Sequence, residues 1–389
     1  MRKILNVLKL LIILPVVSGI MASCVQDEPD EISAEKERLI LIYAVAANSL
    51  EGNLTLDLKE ILKVAPRLNL DNNILLVYSV DYSNECKLRK LVKNSKTGKF
   101  EFALEMTFPE LPLSTSKERI NEVLNYVNDH YDYERKGLIL WSHGTGWIPS
   151  ATGSTPATEK RRTFGEDKYE GVSYQTNINE LAEAIPEYVF DFIWFDCCYM
   201  ANIETVFELR NKTPYIVGSV EEIPSDGMPY DRTMPYLLQK EADLKMAATL
   251  FFDYYDDEKV TAPISIIATD DLPKLAETAK KIFATGIAPT NLSNIQNYTR
   301  GTMYSKGYRF YDMNQLLKSY TVTDESLEEE LEEIMKKVVI FRLSNSYTTP
   351  GPAITNPTNY SGLSMHFYRD NDSYDETFYR ELDWYKATR

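Results

Sequence analysis

Three histidines (His130, His143, His366) and four cysteines (Cys24, Cys86, Cys197, Cys198) bound the nucleophilic and metal chemistry open to this chain of 389 residues. The histidines are too far apart for zinc-type spacing. The acidic residues make no loop with EF-hand spacing, so calcium gets no support from the pattern. Two residues stand where chemistry is usually done. His143 lies two residues past the apolar run Gly137 to Trp141, and Cys198 lies three past the run Phe190 to Phe195. A thiolate is a strong nucleophile, and a nearby imidazole both raises the thiolate fraction and protonates a leaving amine. Gly144 carries no side chain to keep its backbone N–H from a substrate, and with the Cys198 N–H it could stabilise an oxyanion. Taken singly, a buried cysteine and a strand-end histidine serve packing more often than catalysis. Their coincidence leaves the two readings balanced. The serine elbow G-x-S-x-G, the P-loop and the dinucleotide fingerprint are absent.

The elements around them decide whether the two can meet. Continuous apolar runs at 39–45, 73–80, 137–141, 190–195 and 215–219 read as buried parallel strands. Helical patterns alternate with them: 54–64, a helix capped by Ser116 and running to about Tyr131, one opened by Asn177, and 203–209. Residues 86–93 and 99–105 read as a less buried hairpin, and Thr145 to Gln175 as a long irregular stretch. Such βα units give an α/β fold, with a mostly parallel sheet and helices on both faces. Reactive groups collect at the carboxyl ends of strands in such sheets. The helix at Asn177 is then the crossover that makes the His143 and Cys198 strands neighbours. Further on, the pattern loosens into helices near 241–255, 272–286 and 325–342 and strands at 263–269 and 362–368. Residues 38–230 are therefore expected to form the catalytic domain, and 231–389 a C-terminal portion that extends or buttresses its sheet.

The chain ends read as an address. Arg2 and Lys3, the apolar Leu10 to Val17 and the small residues before Cys24 resemble a bacterial lipoprotein signal over 1–23, with Cys24 as the acylated residue. A plain signal-anchor is the alternative. Residues 24–37 are acidic and proline-broken, as a flexible tether would be. The expected location is the outer membrane or cell surface of a Gram-negative bacterium. The formal charge is −16, and removing 1–23 takes away three basic residues and no acids. That argues against nucleic acid or an anionic bilayer face as a partner and suits basic substrates. The adjacent Cys197 and Cys198 make a poor structural disulfide, which argues against a disulfide framework.

Leu140-Trp141-Ser142-His143-Gly144-Thr145-Gly146-Trp147 resembles the histidine motif of the clostripain (C11) family of cysteine peptidases. Phe195-Asp196-Cys197-Cys198-Tyr199-Met200, with Glu204 beyond, resembles that family's nucleophile motif. Phe164-Gly165-Glu166-Asp167, Ser219 to Pro224 with Gly227 and Tyr230, and Gly362 to Met365 follow the family's order along most of the chain. The resemblance implies a caspase-like three-layer α/β/α sandwich and peptide cleavage after Arg or Lys. It makes Cys198 the nucleophile, His143 the base, and Asp196 and Asp226 the carboxylates of a basic specificity pocket. Family members often cut themselves between the two motifs, which singles out Lys160, Arg161 and Arg162. One departure is that Ala46-Ala47-Asn48 stands where the family usually has Asp-Asn; Tyr199 for leucine is a smaller one. The rival reading is a surface lipoprotein that binds peptides on an inactive peptidase-like scaffold.

Overall fold

In this computed structural model, which describes residues 36–148, 163–299, 309–321, 324–347, 354, 356–367 and 376–389, the run Arg38–Val45 forms β1. All eight of its residues are buried, as a strand covered on both faces requires. The further strands are β2 (Asn73–Val80), β3 (Cys86–Lys93), β4 (Phe100–Phe108), β5 (Lys136–Trp141), β6 (Phe164–Tyr169) and β7 (Val172–Thr176). After them come β8 (Phe192–Asp196), β9 (Tyr215–Gly218), β10 (Ile264–Ala268), β11 (Phe310–Asp312), β12 (Val339–Leu343) and β13 (Ser364–His366). Nine of these make one sheet in the order β12-β10-β9-β8-β5-β1-β2-β3-β4. The five central strands, β9 to β2 in that order, are parallel. Antiparallel strands close both edges.

The helices are α1 (Glu51–Val64), α2 (Lys117–His130), α3 (Ile178–Ala184), α4 (Ile203–Glu208), α5 (Tyr230–Leu237), α6 (Leu244–Asp257) and α7 (Leu272–Thr285). They continue as α8 (Met313–Lys318), α9 (Ser326–Val338), α10 (Glu376–Glu381) and α11 (Asp383–Thr388). Alternation along β1 divides the interior between two layers of them. Leu39, Leu41, Tyr43 and Val45 join a core with buried residues of α2, α3, α4, α7, α9 and α11. Ile40, Ile42 and Ala44 join a second core with α1, α5 and α6. This is the expected α/β/α sandwich. In α2 the Ser116 hydroxyl accepts from the Arg119 N–H at 3.2 Å, a cap worth about 1 kcal/mol. Ile120, Val123, Leu124 and Val127 of that helix face inward.

The structure departs from the sequence reading in several places. The irregular stretch expected from Thr145 to Gln175 contains the hairpin β6–β7, joined by Glu170 and Gly171, both at positive φ. A two-residue turn of that kind matches strand twist, but the polar composition of Phe164–Tyr169 concealed the strand. The helix read to about 342 stops at Val338, and the β-branched run Val338-Val339-Ile340 passes into β12 on the sheet edge. The late strand is β13, which pairs with β11 outside the main sheet. Finally, α5 went unread because Pro235 lies inside it. Beyond residue 230, β10 and β12 continue the same sheet past β9.

Candidate active site

Strands β5 and β8 are parallel neighbours, and Trp141 is paired with Asp196 in their register. His143 and Cys198 each lie two residues beyond that pair, so adjacent strand ends deliver them to one level. Both line a cleft of about 130 Å³ together with Leu50, Trp141, Asp196, Ile223 and Gly227. The crossover inferred from sequence does bring the two together.

The chain turns sharply after β8. Cys197 is buried and its thiol donates to the Leu140 carbonyl at 3.1 Å. Burial pushes that thiol well above its ordinary value. Cys198 is half-buried, with Sγ 3.8 Å from the Ile223 carbonyl. Tyr199 completes the turn with φ of 62°, an uncommon value for a bulky residue. It is held by its N–H to the Glu221 carbonyl at 3.0 Å and by Asn202 Nδ2 on its own carbonyl at 2.5 Å. Its ring stacks on Phe310.

Gly144 has a different reason to be glycine from the one the sequence suggested. A Cβ there would lie 2.7 Å from the Cys198 carbonyl and 2.9 Å from Cys197 Cβ, so any side chain would displace the nucleophile turn. Its neighbours Thr145 and His143 are bonded to Thr163 and Gly165. The Gly144 N–H itself has no hydrogen-bond partner among the described residues.

His143 is held through one ring nitrogen. Nε2 lies 3.0 Å from Ser49 Oγ and 3.7 Å from Glu166 Oε2. Burial pulls its pKa below the ordinary value; Glu166 pushes it back up and Lys168 opposes that. Sequence reasoning missed Ser49 and the roles of Asn48 and Glu166. The motif around Glu166 had been noticed, but only the β6–β7 hairpin shows which way it faces.

Asp196 lies at the closed side of the cleft, 4% exposed. Its Oδ2 accepts from the Met228 N–H at 3.1 Å and the Tyr230 hydroxyl at 3.0 Å, while buried Oδ1 has no hydrogen-bond partner among the described residues. Burial raises the carboxyl to about 6 against the pull of those two donors. Gly227, at φ of 63°, lets the loop lie flat on it, since a Cβ would come within 3.0 Å of both carboxylate oxygens. Behind the wall, Asp57 accepts from the Trp141 indole N–H at 2.8 Å. Burial first, and the Asp196 charge second, push Asp57 up to about 9, so it is a neutral acid at pH 7. Asp226 is exposed beside Gly227 and does not line the cleft, though its charge reaches Asp57. The remaining motif acid, Glu204, is buried in α4. It accepts from the His366 N–H at 2.8 Å and the Tyr379 hydroxyl at 3.2 Å, tying that helix to β13. His130 is exposed on α2, and His366 is buried beside Trp147 and Tyr379. Cys24 and Lys160 to Arg162 lie outside the described residues.

A thiol, an imidazole and a buried carboxylate around one cleft at the carboxyl edge of a caspase-like sheet define the architecture of a cysteine-dependent hydrolase. A profile of the clostripain family matches residues 42–389. Among solved structures, an inactive zymogen C11 protease from Parabacteroides distasonis is 30% identical, with a TM-score of 0.76. The alignment covers 91% of this chain and 98% of that one. A secreted C11 cysteine protease from Bacteroides thetaiotaomicron, in complex with an irreversible peptide inhibitor, is 27% identical, with a TM-score of 0.75. There the coverage is 90% and 98%. Comparison with curated proteins gives no match. The chain belongs to the clostripain family and is a cysteine peptidase. No helix among the described residues is long and apolar enough to cross a membrane.

Proposed function

We propose that this peptidase cleaves peptide bonds after Arg or Lys, with Cys198 as nucleophile and His143 as its base. The observation that carries the specificity is the unpartnered, buried Oδ1 of Asp196 in the cleft that also holds the thiol and the imidazole. A buried carboxylate oxygen without a donor is costly, and a guanidinium or ammonium arriving from substrate removes that cost. Asp226 is exposed outside the cleft and contributes only longer-range negative charge, which reaches Asp57. In the reaction the Cys198 proton passes to His143, and the thiolate attacks the carbonyl carbon of the basic residue. The Gly144 N–H, with that of Cys198, stabilises the oxyanion. The imidazolium then returns its proton to the departing amine, and water hydrolyses the thioester.

A panel of fluorogenic peptides ending in Arg, Lys, Ala or Asp tests this directly. Cleavage confined to Arg and Lys is the expected result, and efficient cleavage after Ala or Asp would discard the pocket assignment.

The same specificity directed at the chain itself would cut at Lys160, Arg161 or Arg162, between the two motifs. That a relative is described as an inactive zymogen favours activation of this kind. Purified wild-type protein is expected to separate into two fragments on a denaturing gel, and Cys198→Ala protein to stay whole. Identical banding of both would remove self-cleavage from the mechanism.

Acylation at Cys24, read from the leader, would hold the enzyme at a bacterial membrane while the acidic tether 24–37 frees the catalytic portion to meet protein substrates. Cells grown with labelled palmitate are expected to label the parent chain and not Cys24→Ala. Equal labelling of the two would exclude Cys24 as the anchor.

A further inference from the structure

Beside His143 lies the hairpin β6–β7, whose backbone is clamped to the residues that follow β5 and β1. The Gly165 N–H donates to the His143 carbonyl at 3.0 Å, and the Glu166 N–H to Ser142 Oγ at 3.2 Å. The Glu166 carbonyl accepts from Asn48 Nδ2 at 2.7 Å, and the Lys168 N–H donates to the Ala47 carbonyl at 2.9 Å. Asn48 is wholly buried and also fixes its own loop, donating to the Val45 carbonyl at 2.8 Å and accepting from the Leu50 N–H at 2.8 Å. Four hydrogen bonds therefore set where the Glu166 side chain begins, and two more set where Ser49 begins. The Glu166 side chain is 19% exposed, and its Oε1 accepts from Ser173 Oγ of β7. Its Oε2 turns to His143 Nε2 at 3.7 Å, with Ser49 Oγ on the same nitrogen at 3.0 Å.

We infer that Glu166 and Ser49 are positioning residues for His143: together they hold Nε2, keep the ring's Nδ1 for the proton of Cys198, and stabilise the imidazolium that results. The inference rests on the His143–Cys198 reading above and adds the groups that make the imidazole an effective base. Its physical content is simple. An imidazole in a partly buried site gains a proton only if something nearby favours the cation, and a carboxylate at this distance does so. Ser49 fixes ring orientation, since a hydroxyl can accept from a protonated Nε2 and leaves the second nitrogen for the thiol. The charged groups that act on the ring are Glu166 and Lys168 from β6, and the titratable Cys198, from the turn after β8, lines the same cleft. Asp196, across the cleft, is turned toward Met228 and Tyr230. Lys168 lies 4.0 Å from Glu166 Oε1 and weakens, without cancelling, its effect on His143.

The hairpin begins within two residues of Arg162, so it also joins the segment of proposed self-cleavage to the catalytic base.

The test is a set of pH profiles on the full-length enzyme carrying Glu166→Gln, Glu166→Ala or Ser49→Ala. Two readouts are needed: kcat and KM on an Arg peptide, and the rate of Cys198 alkylation by iodoacetamide, which reports thiolate without any substrate. The active dyad needs the imidazolium, so its alkaline limit is the loss of that proton. Removing the Glu166 charge is expected to move this limb of kcat down by about one pH unit and, because less imidazolium is there to stabilise the thiolate, to lower the alkylation rate near neutral pH by up to about tenfold. It should lower kcat at pH 8 about tenfold and leave KM nearly unchanged. Glu166→Gln should behave as Glu166→Ala does, because the charge and not the shape is at issue. Ser49→Ala should lower kcat with a smaller displacement of the limb. If both Glu166 variants keep the parent's limb and alkylation profile, Glu166 is only a hairpin residue and the inference is overturned. If Glu166→Ala fails while Glu166→Gln is normal, the role is packing, and the inference is again overturned. A His143→Ala enzyme with undiminished activity would instead strike the dyad assignment, which separates the two failures.

Discussion

Replacing Cys198 with alanine is expected to lower kcat/KM on an Arg peptide by on the order of 10⁵-fold, whereas Cys197→Ala should keep most of the activity. The family resemblance names Cys198 of the adjacent pair, and the two thiols differ in their surroundings after β8 in the way that choice requires. The Cys197 thiol is buried against the Leu140 carbonyl, with no path to a substrate and with its ionisation suppressed by desolvation. Cys198 is the half-buried one, and it faces the cleft that holds His143 and Asp196. Cys197→Ala should instead cost stability, about 1 kcal/mol for a small void and one lost weak hydrogen bond, read as a modest fall in Tm. The pair of measurements is decisive because the two variants must diverge. An inactive Cys197→Ala protein with a normal melting curve, beside an active Cys198→Ala protein, would exchange the roles.

The parts of this molecule that sequence made legible are those in which one residue pattern has one structural meaning. The five central strands are buried on both faces, so they read as unbroken apolar runs, and the paired strand ends followed from the crossover between them. What escaped reading was local structure specified by backbone pairing and not by composition. Phe164–Tyr169 is a strand because β7 and the loop after β1 supply its hydrogen-bond partners, and its polar side chains gave no period-two signal. The same cause hid Ser49 and the direction of Glu166, which acquire meaning only once that hairpin lies on His143. At Val338 a helical stripe runs directly into a β-branched strand with no glycine or proline between, so no local signal marks the boundary. Gly144 was singled out for its N–H, and the structure adds a steric reason for a glycine at that position. The contact that forbids a side chain is with the nucleophile turn, and the absence of a partner on its N–H follows from the non-hydrogen-bonded pairing of Gly144 with Phe164.

Asp196→Asn is expected to remove basic specificity, and pH dependence is the cleanest way to see it. A buried carboxylate that meets a guanidinium contributes about 3 kcal/mol, so kcat/KM on Arg peptides should fall a hundredfold or more. Alanine-ending peptides should be affected far less. Asn keeps an acceptor for Met228 and Tyr230, so the fold should survive. The carboxyl of the free enzyme ionises at about 6, raised by burial. Below that value Asp196 is a neutral acid and loses its hold on a cation; above it the pocket is fully charged. The inhibition constant of a small guanidinium compound, which reads the pocket and not the dyad, should therefore rise as pH falls through about 6 and level off above 7. The sign for stability runs the other way. A carboxyl whose folded pKa lies above its unfolded value favours the folded state most at low pH, and that contribution is lost as pH rises from about 4 to about 6. The pocket is thus formed at some cost to stability in the very range where it becomes able to bind, as a site built around an unpaired buried charge should be. In Asp196→Asn both dependences should disappear together: a flat inhibition constant across pH 5 to 8, and a higher Tm relative to the parent above pH 6 than below pH 4. If the guanidinium compound still binds the variant more tightly as pH rises through 6, the charge that recognises it belongs to another residue, with Asp226 the next to replace.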